Sequence, residues 1–175
     1  MKKAIFLALA VWAITASVAW ADKECPMPAA KSSTELETVK SFAGKWMGTA
    51  RHSNGNEEQT TVEYQVTSGG SAVEEKLSPG TPHEMISMYH DQGGKLAMTH
   101  YCMLGNQPRM ELKSAAAGRI DLEASVQTRS ALFGQMYMSS LVIEQPAADQ
   151  LVETWTAVDA SGKQMDSTVL TLKKS

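Results

Sequence analysis

Only two cysteines and four histidines occur in the 175 residues of the chain, and neither type is clustered. There is no C-x-x-C, no H-x-x-x-H and no methionine tract of repeated spacing, so no recognised metal motif is present. H-E-x-x-H also fails: His83-Glu84 is followed by MISMYH, which puts the next imidazole seven residues on. A G-x-S-x-G nucleophile elbow is missing. Basic residues form no stripe, since 16 Lys and Arg face 19 acids for a net charge of −3, which argues against nucleic acid as a partner. Beyond the first 21 residues no apolar run is long enough to span a membrane as a helix. Internal repeats and long linkers are lacking too.

What is present begins with an export pattern. Lys2 and Lys3 precede the apolar run AIFLALAVWAI, and Ala19-Trp20-Ala21 closes the segment. A charged start, a short apolar middle and an A-x-A end predict a secretory signal peptide, residues 1–21, cut before Asp22. The run is shorter than the ~20 residues of a spanning helix. No cysteine follows the cut directly, so Cys25 is not read as a lipid attachment site. The two-lysine start and alanine-rich core look bacterial, which places the mature chain in the periplasm or outside the cell. Removal leaves 175 − 21 = 154 residues with a charge of −3 − 2 = −5, a length suited to one domain. Cys25 and Cys102 both fall in the exported part, where an oxidising compartment permits a disulfide between them. The alternative is a loose arm and a buried, inert Cys102.

Residues 22–32 (DKECPMPAAKS) are polar, contain two prolines and predict a flexible arm. The domain is expected over 33–175. Thr34 with Glu37 fits a capping box, Leu36, Val39 and Phe42 give a helical stripe, and Gly44 can end that helix. After Gly44 come short alternating runs broken by turn residues. They are 46–52, 59–67, 72–77, 84–90, 95–103, 109–113, 119–126, 140–144, 151–158 and 164–173, with SNGN, SPGTP and DQGG among the breaks. The stretch TRSALFGQMYM is less regular. Alternation at this spacing predicts an all-β sandwich or barrel.

One helix, then G-x-W, then eight to ten antiparallel strands is the order of lipocalin-like barrels. Gly44-Lys45-Trp46 carries that likeness and makes Gly44 and Trp46 structural candidates. Met85 to Asp91, THYC at 99–102, GNQPRM at 105–110 and Trp155-Thr156 together resemble a family of uncharacterised exported bacterial proteins of lipocalin-like (calycin) character. The resemblance spans Leu36 to Lys163. It implies a single antiparallel barrel with a short N-terminal helix, and a set of marked positions, but no settled activity. Typical lipocalins often set an arginine of the last strand against the G-x-W tryptophan; this strand offers only Lys173 and Lys174.

The stretch MTHYCMLGNQPRM, residues 98–110, is the densest in chemistry. Met98, His100 and Cys102 share one strand face. With DQGG as the turn, Ser87 is expected opposite Met98, Met85 opposite His100 and His83 opposite Cys102. That face would offer soft ligands suited to Cu(I), although methionine is also an adaptable core filler. Asn106, Gln107 and Arg109 read either as a turn or as a polar group at a barrel mouth, where the guanidinium fork takes a carboxylate or phosphate. His100 or Tyr101 would add a polar contact, while Met110 and Trp155 would add apolar wall. A Cys102–His100 nucleophile pair is poorly arranged and lacks an orienting carboxylate in sequence. Haem ligation has four histidines to choose from and no signal selecting one.

The resulting expectation is an exported lipocalin-like barrel that binds a small, partly apolar ligand through His100, Tyr101, Asn106, Gln107, Arg109, Met110 and Trp155, with no metal or cofactor. The alternatives are Cu(I) or haem binding, a pocket enzyme using His100, and a filled barrel whose surface meets another protein.

Overall fold

Strict alternation governs burial in the strands. In 150–158, Leu151, Glu153, Trp155 and Ala157 are buried and their neighbours are not. Such a period of two buries one face only, and a single sheet can do so by closing on itself. The computed structural model describes residues 31–175; the expected signal segment, most of the expected arm and Cys25 lie outside them. Helix α1 (Thr34–Ser41) leads into β1 (Gly44–His52), β2 (Glu57–Thr67), β3 (Ala72–Leu77), β4 (Met85–Gln92), β5 (Lys95–Tyr101), β6 (Arg109–Ala116) and β7 (Arg119–Ala124). A short helix α2 (Val126–Ala131) precedes β8 (Tyr137–Ala147), β9 (Gln150–Val158) and β10 (Gln164–Lys174). The ten strands form one closed barrel in which β1 pairs with both β2 and β10. Every pairing is antiparallel.

Helix α1 closes one end. Its buried Leu36 and Val39, with Phe42 just beyond, join the barrel core beside Trp46 and Tyr64. The cap lies one residue earlier than expected. Ser33, not Thr34, caps the helix, accepting from the Leu36 N–H at 3.1 Å and donating its own hydroxyl to Asp91 at 2.7 Å. Nor does Gly44 end the helix. Phe42 does, and Gly44 opens β1 at φ 129°. Trp46 is fully buried, donates its indole N–H to the Phe42 carbonyl at 2.7 Å, and lies under the Lys174 ammonium, 5.1 Å from the ring centroid. Lys174 thus covers the Trp46 ring as a cation over an aromatic face.

The β4–β5 hairpin corrects the expected register. Ser87 faces His100 and Tyr89 faces Met98, where Met85 opposite His100 and Ser87 opposite Met98 were expected. The turn is Gly93-Gly94 alone, both at positive φ (59° and 79°), so the strands run on to Gln92 and Lys95. Two residues of left-handed backbone make the tight turn that suits strand twist. A register change of this even size keeps each side chain on its face. His83 and Cys102 fall outside the strands, so that outer pair does not form. The irregular stretch after β7 contains α2, capped by Ser125, whose hydroxyl accepts from the Thr128 N–H at 3.1 Å.

Candidate functional site

At the end of the barrel away from α1, a cavity of about 130 Å³ opens between the strands. Leu77, Met85, Met138 and Leu170 give it apolar walls, and His100 and Trp155 are packed together in its lining with ring centroids 4.7 Å apart. His52, Glu58 and Thr168 supply polar groups, the His52 Nδ1 lying 3.0 Å from the Thr168 hydroxyl. For scale, an apolar cavity of ~150 Å³ holds benzene.

Beside this cavity the barrel interior is polar, which the sequence reading missed. Tyr64 on β2 stands opposite Glu75 on β3, Glu75 opposite Ser87 on β4, and Ser87 opposite His100 on β5. These four inward side chains form one continuous row across four strands. Glu153 reaches them from β9. The Tyr64 hydroxyl lies 2.7 Å from Glu153 and 3.1 Å from Glu75, and the Tyr89 hydroxyl donates to Glu75 at 2.8 Å. The Trp155 indole N–H donates to Glu153 at 3.1 Å. Both carboxyls are 0 % exposed.

Two carboxyls without water cannot both ionise cheaply. Burial pushes each above the usual carboxylate range, and the neighbouring Glu153 raises Glu75 further. The Tyr64 hydroxyl lies within reach of an oxygen of each carboxyl, and the closeness of the two buried groups favours the protonated form at one of them. Burial and the same carboxylates hold Tyr64 and Tyr89 in their protonated, donating forms. His100, also desolvated, is pushed down to about 4 and is neutral. Its Nδ1 lies 3.1 Å from the Ser87 hydroxyl.

Of the residues singled out from sequence, His100 and Trp155 meet in the cavity. Met110 is fully buried in the core between Met98 and Ala124. Tyr101 is exposed. Asn106 is buried and donates to the Met136 carbonyl at 2.9 Å, while Gln107 is exposed and bonds the Gly105 carbonyl. Arg109 anchors α2 through its backbone, its N–H donating to the Thr128 hydroxyl at 2.8 Å. Its side chain alternates away from Met110 and reaches Glu111 at 4.0 Å rather than the cavity. The Asn106–Arg109 group therefore ties the β5–β6 loop to the α2 segment. Burial raises the half-buried Cys102 thiol, so it is not a ready thiolate. Among the described residues no three of His, Cys, Asp and Glu gather as a metal site.

A signal for the missed acids existed. Glu75 sits between Val73 and Leu77 on the apolar face of β3, and Glu153 between Leu151 and Trp155 on that of β9. An acid at an inward position needs a partner.

No family model matches the sequence, and no curated protein does. Solved structures do match. A protein of unknown function from the DUF3598 family of Nostoc punctiforme aligns at a TM-score of 0.55 and 15% identity, over 78% of this chain and 49% of that one. The chain therefore spans about half the length of that neighbour, and the likeness is one of fold. A barrel bound to DFHBI aligns at 0.42 and 10% identity over 80% and 98%, and a redesigned β-barrel at 0.40 and 13% over 82% and 99%. Among the described residues no helix is long and apolar enough to cross a membrane.

Proposed function

We propose that this barrel binds a small, partly apolar molecule, and that the site is the cavity at its open end. The observation that carries the reading is an apolar chamber of about 130 Å³ that includes one neutral imidazole, His100, against the Trp155 ring. Mostly apolar walls with a few placed polar groups are what small-molecule sites use. The reading keeps His100 and Trp155 from the sequence expectation and adds Ala50, Leu77, Met85 and Leu170. Arg109 and Gln107 are left to the loop. The work would be done in the periplasm or outside the cell, a location supported by the charged, apolar and A-x-A pattern of residues 1–21.

Native mass spectrometry of the protein taken from the cells that make it tests the proposal, together with a panel of small aromatic and aliphatic probes followed by ligand-detected NMR. Ala50 is a buried wall residue, so Ala50→Phe fills the chamber. A bound organic mass, or probe binding that Ala50→Phe abolishes, supports the site. Failure of every probe with a bare mass, or binding that Ala50→Phe leaves unchanged, removes it.

A further inference from the structure

The row that ends at the cavity has a direction, and the direction selects a ligand chemistry. His100 is 1 % exposed and spends Nδ1 on Ser87, and its ring lines the cavity. Among the described residues nothing pairs with Nε2, which is also not one of the fully enclosed orphan atoms. Ser87 has one proton and two neighbours to give it to, Glu75 and His100. The carboxyl pair settles the choice. The Tyr64 and Tyr89 hydroxyls and the Trp155 N–H all donate to it, so the pair is the acceptor of its surroundings. The Ser87 hydroxyl, opposite Glu75 across β3 and β4, joins them as a further donor. Its oxygen then accepts from Nδ1–H of His100. A neutral imidazole has one N–H, which leaves the Nε2 lone pair facing the cavity.

We infer that the occupant of the cavity is a small hydrogen-bond donor, a phenol or alcohol rather than an ether or carbonyl compound, whose O–H lies on Nε2 of His100. The Trp155 ring at 4.7 Å offers an aromatic group a face beside that contact. This inference rests on the reading that the cavity holds a ligand. It reaches further by fixing which polar group the ligand must bring.

Two measurements on the full chain decide it. The first is the ¹⁵N correlation pattern of His100, expected to show Nδ1 protonated and Nε2 bare. The second compares phenol, anisole and benzaldehyde, near-isosteric probes that differ in donating or only accepting. Phenol is expected to bind about tenfold tighter than either, the worth of one neutral hydrogen bond, and His100→Phe should erase the preference while keeping apolar binding. A protonated Nε2, equal binding of the three probes, or preference for benzaldehyde overturns the inference and leaves the proposed site standing. If none of the three binds, the inference falls, and the broader probe panel with Ala50→Phe then decides whether the site falls with it. Should His100→Phe not fold, the tautomer and the probe ranking of the unaltered protein decide alone.

Discussion

Glu75 and His100, two residues apart in the interior row, respond to pH with opposite signs. The buried carboxyl has a raised pKa in the fold. Its contribution to stability is therefore complete below the unfolded value, ~4.3, and is lost as pH rises through the folded one. His100 is lowered from 6.5 to about 4, so its contribution is complete above 6.5 and is lost as pH falls toward 4, a difference of order 3 kcal/mol. Chemical denaturation from pH 4 to 8 should show the acid-side loss shrink in His100→Phe. In Glu75→Gln the loss on the alkaline side should shrink instead, because an amide has no proton to lose in that range. Glu75→Leu is the harsher change, since it strands the Tyr89 hydroxyl at a cost of about 1–3 kcal/mol. Equal stability of the Gln and Leu variants at neutral pH would contradict the hydrogen bonds that Tyr64 and Tyr89 give Glu75. NMR titration of His100 should find a midpoint near pH 4 rather than the usual 6.5.

At the scale of elements, β1 is where tolerance is least. A Cβ on Gly48 would stand 1.9 Å from the Thr171 carbonyl oxygen of β10. That neighbour is backbone and cannot swing aside, so Gly48→Ala should cost about 1–3 kcal/mol or more by overpacking, read as a fall in thermal midpoint. Ser33→Ala removes the α1 cap and a bond to Asp91, and should cost about 1 kcal/mol. The strands themselves were legible from alternation, and so was the existence of α1. Boundaries were less so. The cap and the two-glycine turn were each misplaced by a residue or two, because Ser33 and Thr34 are both good caps and Asp91-Gln92 looks as turn-like as Gly93-Gly94. The site was half legible. His100 and Trp155 stood out by chemical type, whereas Arg109 and Gln107 stood out equally and lie away from the cavity. Glu75 and Glu153 each sit at an inward position of an alternating strand, but only closure of the barrel sets β9 across from β3 and brings the two together.

On the scale of the whole molecule, closure leaves none of the ten described strands with an unpaired edge, which removes the usual route to edge-to-edge association. The closing pair joins the first strand to the last, with Trp46 opposite Lys174 and His52 opposite Thr168. Removing residues 164–175 should open edges on both β1 and β9 and drive the protein into the insoluble fraction, while the full chain stays soluble; a soluble truncated chain would contradict the closed arrangement. This junction also sets a clock. β10 is the last of the described strands in chain order, and until it docks the carboxyl pair has only an incomplete wall to hide behind. The barrel can become watertight only once β10 has docked, so its two acids are among the last groups to lose their water.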